Sequence, residues 1–240
     1  MKDYEVYSSL RVPKNSKIII RLDGRAFHQL ARDLELEKPY DENFYNVLSK
    51  VCEDLFKEFS PVFAYAFSDE ISLLFDKVPF DGRLEKIDSV IASFAASSFV
   101  INYDCEFKKP PAFDSRIIPV QDENIFEYFK WRQDESWRNC INSHGIFYLK
   151  TKYSNTEAND KINGMKQNEI HELLFQNGIN LNDVETYKKR GIGIYRKNKK
   201  IEGFNKKENK YQTSYRSYVY TDWELPIFSE GFFKEIKVIG

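Results

Sequence analysis

The apolar positions follow two periods, and the switch between them orders the chain. Residues 17–22 carry the β-branched run Ile18-Ile19-Ile20 and predict a buried strand. Pro39-Tyr40-Asp41-Glu42 then opens a helix, because Phe44, Val47, Leu48, Val51 and Leu55 recur at the 3.6-residue period. Residues 62–67 and 71–75 predict two strands joined at Ser68-Asp69-Glu70, a hairpin with acids at its apex. Residues 84–103 predict a second helix with Leu84, Ile87, Val90, Ile91, Phe94 and Ala95 on one side. Its middle, 92–98, is rich in Ala and Ser, which allows close approach to a sheet. Residues 112–120 predict a fourth strand, bounded by Pro110-Pro111 and Pro119.

The order is β-α-β-β-α-β, the ferredoxin-like split pattern of an α+β fold. It predicts a four-stranded antiparallel sheet with two helices on one face. The first and third strands are then central neighbours. Asp23 leaves the first and Asp69-Glu70 lead into the third, so antiparallel pairing brings the two acidic motifs to one place. Beyond this unit, 122–150 reads as helix, anchored by Ile125, Phe126, Phe129, Ile141 and Phe147. Residues 163–177 read as another helix closed by Gly178, and 186–220 as β structure with long turns. The expected division is a catalytic core over 1–135 and a helical and β appendage over 136–240.

Composition adds bounds. In 240 residues, 42% are hydrophobic, with 20 Phe and 15 Tyr, enough to bury a sizeable core. No run of about 18 apolar residues is present, so no membrane partner is expected. Met1-Lys2-Asp3-Tyr4-Glu5 lacks the apolar stretch of a signal peptide. Cys52, Cys105 and Cys140 form no CxxC pair, which argues against structural zinc and a disulfide framework. A cytoplasmic location follows as the expectation. Net charge is −1, yet bases crowd one stretch: Lys188, Lys189, Arg190, Arg196, Lys197, Lys199, Lys200, Lys206, Lys207 and Lys210, opposed only by Glu202 and Glu208. Such a run is either a solvated face or a phosphate contact.

Asp23-Gly24 and Ser68-Asp69-Glu70 are each ordinary turn chemistry alone. Together they place carboxylates at adjacent strand ends, where they repel unless a cation lies between them. Mg²⁺ suits such a pair, since it takes few protein oxygens and leaves positions for water and triphosphate. Asp23 and Asp69 are the candidate ligands, with the Gly24 carbonyl as a further one. Two ions about 4 Å apart would stabilise both attacking and leaving oxygens. No Walker sequence is present, and Gly191-Ile192-Gly193 is too short to signify. His28, His144 and His171 have no ligand-like spacing. No RNP1 signature marks the inferred strands.

These residues resemble the tRNA-His guanylyltransferase family of 3′–5′ nucleotide-adding polymerases. The matching pieces are Arg21-Leu22-Asp23-Gly24-Arg25-Ala26-Phe27-His28, Lys38-Pro39-Tyr40-Asp41 and Ser68-Asp69-Glu70. They continue in family order through Phe113-Asp114-Ser115-Arg116, Trp131-Arg132-Gln133-Asp134, His171-Glu172-Leu173-Leu174-Phe175, Gly178-Ile179-Asn180 and Lys189-Arg190-Gly191. The resemblance fades after about residue 196.

The resemblance implies a polymerase-type palm with Asp23, Gly24 and Asp69 on two Mg²⁺ ions, and Glu70 as a neighbouring catalytic acid. It implies nucleotide binding by Arg25, Ala26, Phe27, His28, Lys38, Ser68 and Asp69. ATP or GTP would activate the 5′ end of a tRNA acceptor stem, and the 3′-hydroxyl of an incoming nucleotide would attack it. The family suggests a homodimer or homotetramer. Trp137-Arg138-Asn139 departs from the eukaryotic HINNLYN signature and looks like the archaeal or like-protein branch, associated with templated repair of tRNA 5′ ends. Arg138, Asn139 and the basic stretch, with Lys188, Lys189, Arg190, Lys199, Lys200, Lys206 and Lys207, are then candidate RNA contacts. Asp114 and Arg116 read as an ion pair on a strand. A nucleotidyl cyclase on the same scaffold and a non-catalytic ferredoxin-like RNA-binding protein stay open beside this reading.

Overall fold

Ile18, Ile19 and Ile20 are fully buried in strand β1 (Lys17–Gly24), which has packed layers on both faces. In the computed structural model, residues 1–13, 15–205 and 209–239 are described, apart from the side chains of Lys2, Phe204 and Asn205. Strand β1 pairs antiparallel with β3 (Glu70–Phe75) on one side and β4 (Phe113–Val120) on the other. Strand β2 (Phe63–Phe67) pairs with β3, completing the expected order β4-β1-β3-β2.

Two helices cover one face, as expected. They are α2 (Glu42–Phe59), capped by the Asp41 carboxylate on the Phe44 N–H, and α3 (Leu84–Asn102). The small residues of α3 let it lie close, with Ala95 and Ser98 buried. Ser98 Oγ and Asn102 Nδ2 both donate to Asp54 Oδ2, at 2.8 and 3.0 Å, and tie α3 to α2. The opposite face carries α4 (Asp122–Lys150), whose Ile125 and Phe129 pack with Ile19, Phe63, Tyr65 and Leu74. Phe233, from α8 (Glu230–Glu235), joins the same core. The boundary expected at 135/136 lies within α4, whose later half carries Ile141 into a third cluster with Ile170, Leu174 and Leu181.

Three features depart from expectation. The sheet has six strands, because β5 (Ile192–Asn205) pairs with β2, and β6 (Lys210–Asp222) with β5. The long turns read over 186–220 are instead a short helix, α7 (Thr186–Arg190), followed by two long strands. Helix α5 (Asn155–Asn163) is an addition that the sequence pattern did not predict, whereas the helix read over 163–177 is α6 (Gln167–Gln176). Helix α5 starts at a capping box, in which Glu157 accepts from the Ser154 N–H at 3.1 Å and Ser154 Oγ accepts from the Glu157 N–H at 3.4 Å. Among the described residues no helix is long and apolar enough to cross a membrane.

Gly191 ends α7 and admits the chain to β5. Its φ of 73° and ψ of −169° lie in a region open almost only to glycine. A Cβ there would stand 2.6 Å from the Ala66 carbonyl oxygen and 2.7 Å from the Tyr65 ring. Backbone strain and overpacking together make Gly191→Ala cost about 3 kcal/mol. Urea unfolding checks this: the variant's midpoint falls, and an unchanged midpoint would mean the α7–β5 junction tolerates a side chain.

Candidate active site

The register of β1 sets the site. Asp23 lies opposite Glu70 on β3 and opposite Asp114 on β4, so three acidic positions form a row across the sheet. The Gly24 N–H donates to the Asp69 carbonyl oxygen at 3.0 Å and closes the β1 end onto the hairpin apex. Gly24 is held to glycine by contact, since a Cβ would stand 2.5 Å from the Phe27 ring. Ala26 turns the chain with φ 57°, and α1 (Phe27–Asp33) begins without a side-chain cap. The Phe27 ring is buried against Phe44, Phe99 and Phe113, with centroids 5.0 to 6.2 Å apart, so that side chain builds the floor of the site.

At the apex Ser68 adopts φ 52°. Its N–H donates to Tyr45 Oη at 3.1 Å, and its Oγ donates to Asp69 Oδ1 at 3.1 Å. Burial pushes the Asp69 carboxyl above its usual range, and the Asp23 charge pushes the same way, against the Ser68 hydrogen bond and the nearby His28. Burial also raises Glu70, although two arginines oppose it. Arg132 Nε and Nη2 donate to the two Glu70 oxygens, each at 2.8 Å, and Arg21 Nε lies 3.9 Å away. The Arg132 guanidinium sits 4.3 Å from the Trp131 ring centroid and 5.2 Å from that of Phe67.

Glu70 is therefore neutralised by the protein itself, whereas Asp23 and Asp69 form no ion pair among the described residues. Among those residues no cluster of three or more His, Cys, Asp or Glu is arranged to hold a metal. The remaining donor set is two carboxylates and the Gly24 carbonyl, all hard oxygens. Mg²⁺ is commonly held by one or two carboxylates together with substrate phosphates, and this set suits it.

Beside Asp69 opens a cavity of about 300 Å³. It brings together Phe27, His28, Lys38, Ser68, Asp69 and Asn139 from the expected residues. Arg25 and Ala26 face another hollow of about 290 Å³, which Lys108 and Lys109 also line. The expected RNA contacts are scattered. Arg138 pairs with Glu135, and Lys188 with Glu185. Lys189 and Arg190 donate to the carbonyls of Asn182 and Leu225. Lys199 and Lys200 lie on β5, and Lys206 and Lys207 fall outside the described residues. Asp114 and Arg116 form the expected pair, at 3.8 Å.

Sequence reasoning missed Arg132 and Tyr45. Arg132 stood in a recognised motif, but nothing local showed that a helix residue would reach the Glu70 carboxylate. Tyr45 sat beside the apolar stripe of α2 and carried no local sign of a polar role. The buried pair gives a test. Arg132→Leu leaves buried Glu70 with only the looser Arg21, 3.9 Å away, and should cost about 3 kcal/mol in urea unfolding. Replacing both residues by Leu should recover most of that loss; purely additive losses would show that the pair does not hold the hairpin.

The sequence profile of a family described as tRNAHis guanylyltransferase (Thg1) matches residues 1–121. A probable tRNA(His) guanylyltransferase of Dictyostelium discoideum is 31% identical over 97% of this chain and 95% of its own. A solved bacterial tRNA(His) guanylyltransferase (Thg1)-like protein in complex with ATP aligns with a TM-score of 0.79 at 25% identity, covering 100% of this chain and 97% of its own. A bacterial Thg1-like protein in complex with GTP aligns at 0.73 and 27% identity, covering 99% of this chain and 95% of its own.

Proposed function

The chain belongs to the tRNAHis guanylyltransferase family of nucleotidyltransferases, and from that premise we propose that it adds nucleotides in the 3′–5′ direction to the 5′ end of tRNA, copying the opposing strand. One observation carries the reading: Asp23 and Asp69 converge at the β1–β3 end, unpaired by any described base, beside a cavity that also presents Lys38 and His28. The bacterial relatives in complex with ATP and with GTP support placing a nucleoside triphosphate in that cavity.

In the first step a 5′-phosphate oxygen of the RNA attacks the α-phosphorus of ATP or GTP, and pyrophosphate leaves. In the second, the 3′-hydroxyl of an incoming triphosphate attacks the activated 5′-phosphorus, loses its proton to solvent, and nucleoside monophosphate leaves. Two Mg²⁺ ions held by Asp23, Asp69 and the Gly24 carbonyl would neutralise triphosphate charge and stabilise attacking and leaving oxygens. Lys38 supplies a point charge to phosphate, and His28 a donor. Ser68 holds Asp69 by its hydroxyl. Glu70 is a positioning residue, fixed by Arg132 so that the hairpin apex keeps its place. Trp137-Arg138-Asn139 favours templated addition, and Asn139 lines the cavity. The reading includes a palm-like core over 1–135 and assembly as a homodimer or homotetramer.

The deciding assay gives the protein tRNA lacking its first 5′ nucleotide, with ATP, Mg²⁺ and each triphosphate in turn. The nucleotide complementary to the opposing base is incorporated. G addition whatever the opposing base would overturn templating, and cyclic product from GTP alone would replace the polymerase reading with a cyclase. Asp23→Ala and Asp69→Ala each lower turnover roughly 100-fold or more, in line with losing a main transition-state electrostatic contact. Independently of turnover, Mg²⁺ with GTP raises the thermal midpoint of the wild type and leaves that of Asp69→Ala unmoved.

A further inference from the structure

Two of the three tryptophans are used in packing. Trp137 lies against the cluster of Ile141, Ile170, Leu174 and Leu181, and Trp223 meets the Tyr187 ring at 5.2 Å. Trp131, in the third turn of α4, is 51% exposed. It is nevertheless held from beneath. The Arg132 guanidinium stands 4.3 Å from its ring centroid and the Arg21 guanidinium 5.9 Å, while Tyr128 meets it edge to face at 5.9 Å. Cations over an indole fix its orientation, and Arg132 is itself fixed by its two hydrogen bonds to Glu70. The exposed part of the ring is thus a rigid aromatic surface rather than a loose side chain.

That surface lies close to the metal-binding carboxylates without touching them. Trp131 leads to Arg132, Arg132 to Glu70 at 2.8 Å, and Glu70 is the cross-strand partner of Asp23. Directly opposed strand residues are about 5 Å apart, so the ring stands roughly 10 Å from Asp23. Arg21, the second brace, is two residues before Asp23 on the same face of β1. The cavity beside Asp69 does not include Trp131. Its α4 residues are Ser136 and Asn139, about 8 to 12 Å further along the helix. A nucleotide seated in that cavity therefore leaves the indole free.

We infer that Trp131 is the stacking platform for the RNA base opposite the missing 5′ nucleotide, the base that is copied. The inference rests on the reading that the chain extends RNA 5′ ends by templated addition. At the reacting end the 5′-terminal base stays paired within the stem, and the triphosphate's base has its own cavity. The opposing base has no partner in its layer, and unpaired RNA bases are commonly held on aromatic faces. Stacking engages the face of a base and leaves its pairing edge open to an incoming nucleotide. It is also tolerant of sequence, because every base has a π-face. A platform of this kind holds any template base equally, which suits copying and not the selection of one fixed nucleotide.

The test uses RNA lacking its first 5′ nucleotide in two forms, one with adenine opposite the gap and one with an abasic ribose there. Length and charge are the same, so the difference in affinity isolates the base. Binding is measured with Mg²⁺ and without triphosphates. The wild type binds the adenine form about ten-fold more tightly. Trp131→Ala binds both forms equally, at the wild type's abasic affinity, and Trp131→Phe keeps most of the preference. In W137F/W223F, where Trp131 is the remaining tryptophan, emission falls on adding the adenine form and changes little with the abasic form. An equal loss of affinity for both forms in Trp131→Ala, or a wild type without preference between them, would overturn the inference. So would a Trp131 signal that responds to GTP alone, which would assign the ring to the nucleotide, or to protein concentration alone, which would assign it to a second copy of the chain. Because binding is read without catalysis, a base-dependent preference without extension would refute the proposed activity alone. Templated extension by Trp131→Ala with the wild-type KM for RNA would refute the platform alone.

Discussion

Everything at the active site depends on the antiparallel pairing of β1 with β3. That pairing sets Asp23 beside Glu70 in register, with Asp69 one residue away at the hairpin apex. Three carboxylates at one sheet end would repel if nothing intervened. The protein neutralises one of them. Arg132 crosses from α4 with both hydrogen bonds to Glu70, and Arg21 adds its charge from β1. Among the described residues no base pairs with Asp23 or Asp69, and burial partly desolvates Asp69. The asymmetry between Glu70 and its neighbours separates an acid tied to a buried arginine from two that no described base neutralises.

The core sheet was legible because its signals are local and redundant. The isoleucine run, the amphipathic stripe of α2 and the two short apolar strands each name one element, and the split βαβ order leaves few ways to arrange them. Convergence of Asp23 and Asp69 followed from topology, with no side-chain geometry needed. What escaped was carried by distant partners. Arg132 and Glu70 are 62 positions apart, and no window of sequence contains both. Helix α5 had a local sign in Ser154-x-x-Glu157, but only Ala158 and Ile162 are apolar within it, too few to mark a stripe. The β5–β6 hairpin was read as β structure, but the length of its strands was missed for another reason. Its strands bury almost nothing beyond Tyr195, so the alternation that marks a half-buried strand is absent there, and only pairing with its own return strand keeps it extended.

Net charge near zero conceals a separation of charge within one sheet. Asp23 and Asp69 sit at the β1–β3 end, and the proposed reading asks them to hold metal ions while admitting a polyanion. A base paired with them would remove that capacity, as Arg132 does for Glu70. Lys197 and Lys199 stand instead on β5 beyond its pairing with β2, and exposed charges more than about 10 Å apart are largely screened from each other at moderate salt. The two carboxylates therefore keep their charge in a chain that is close to neutral as a whole.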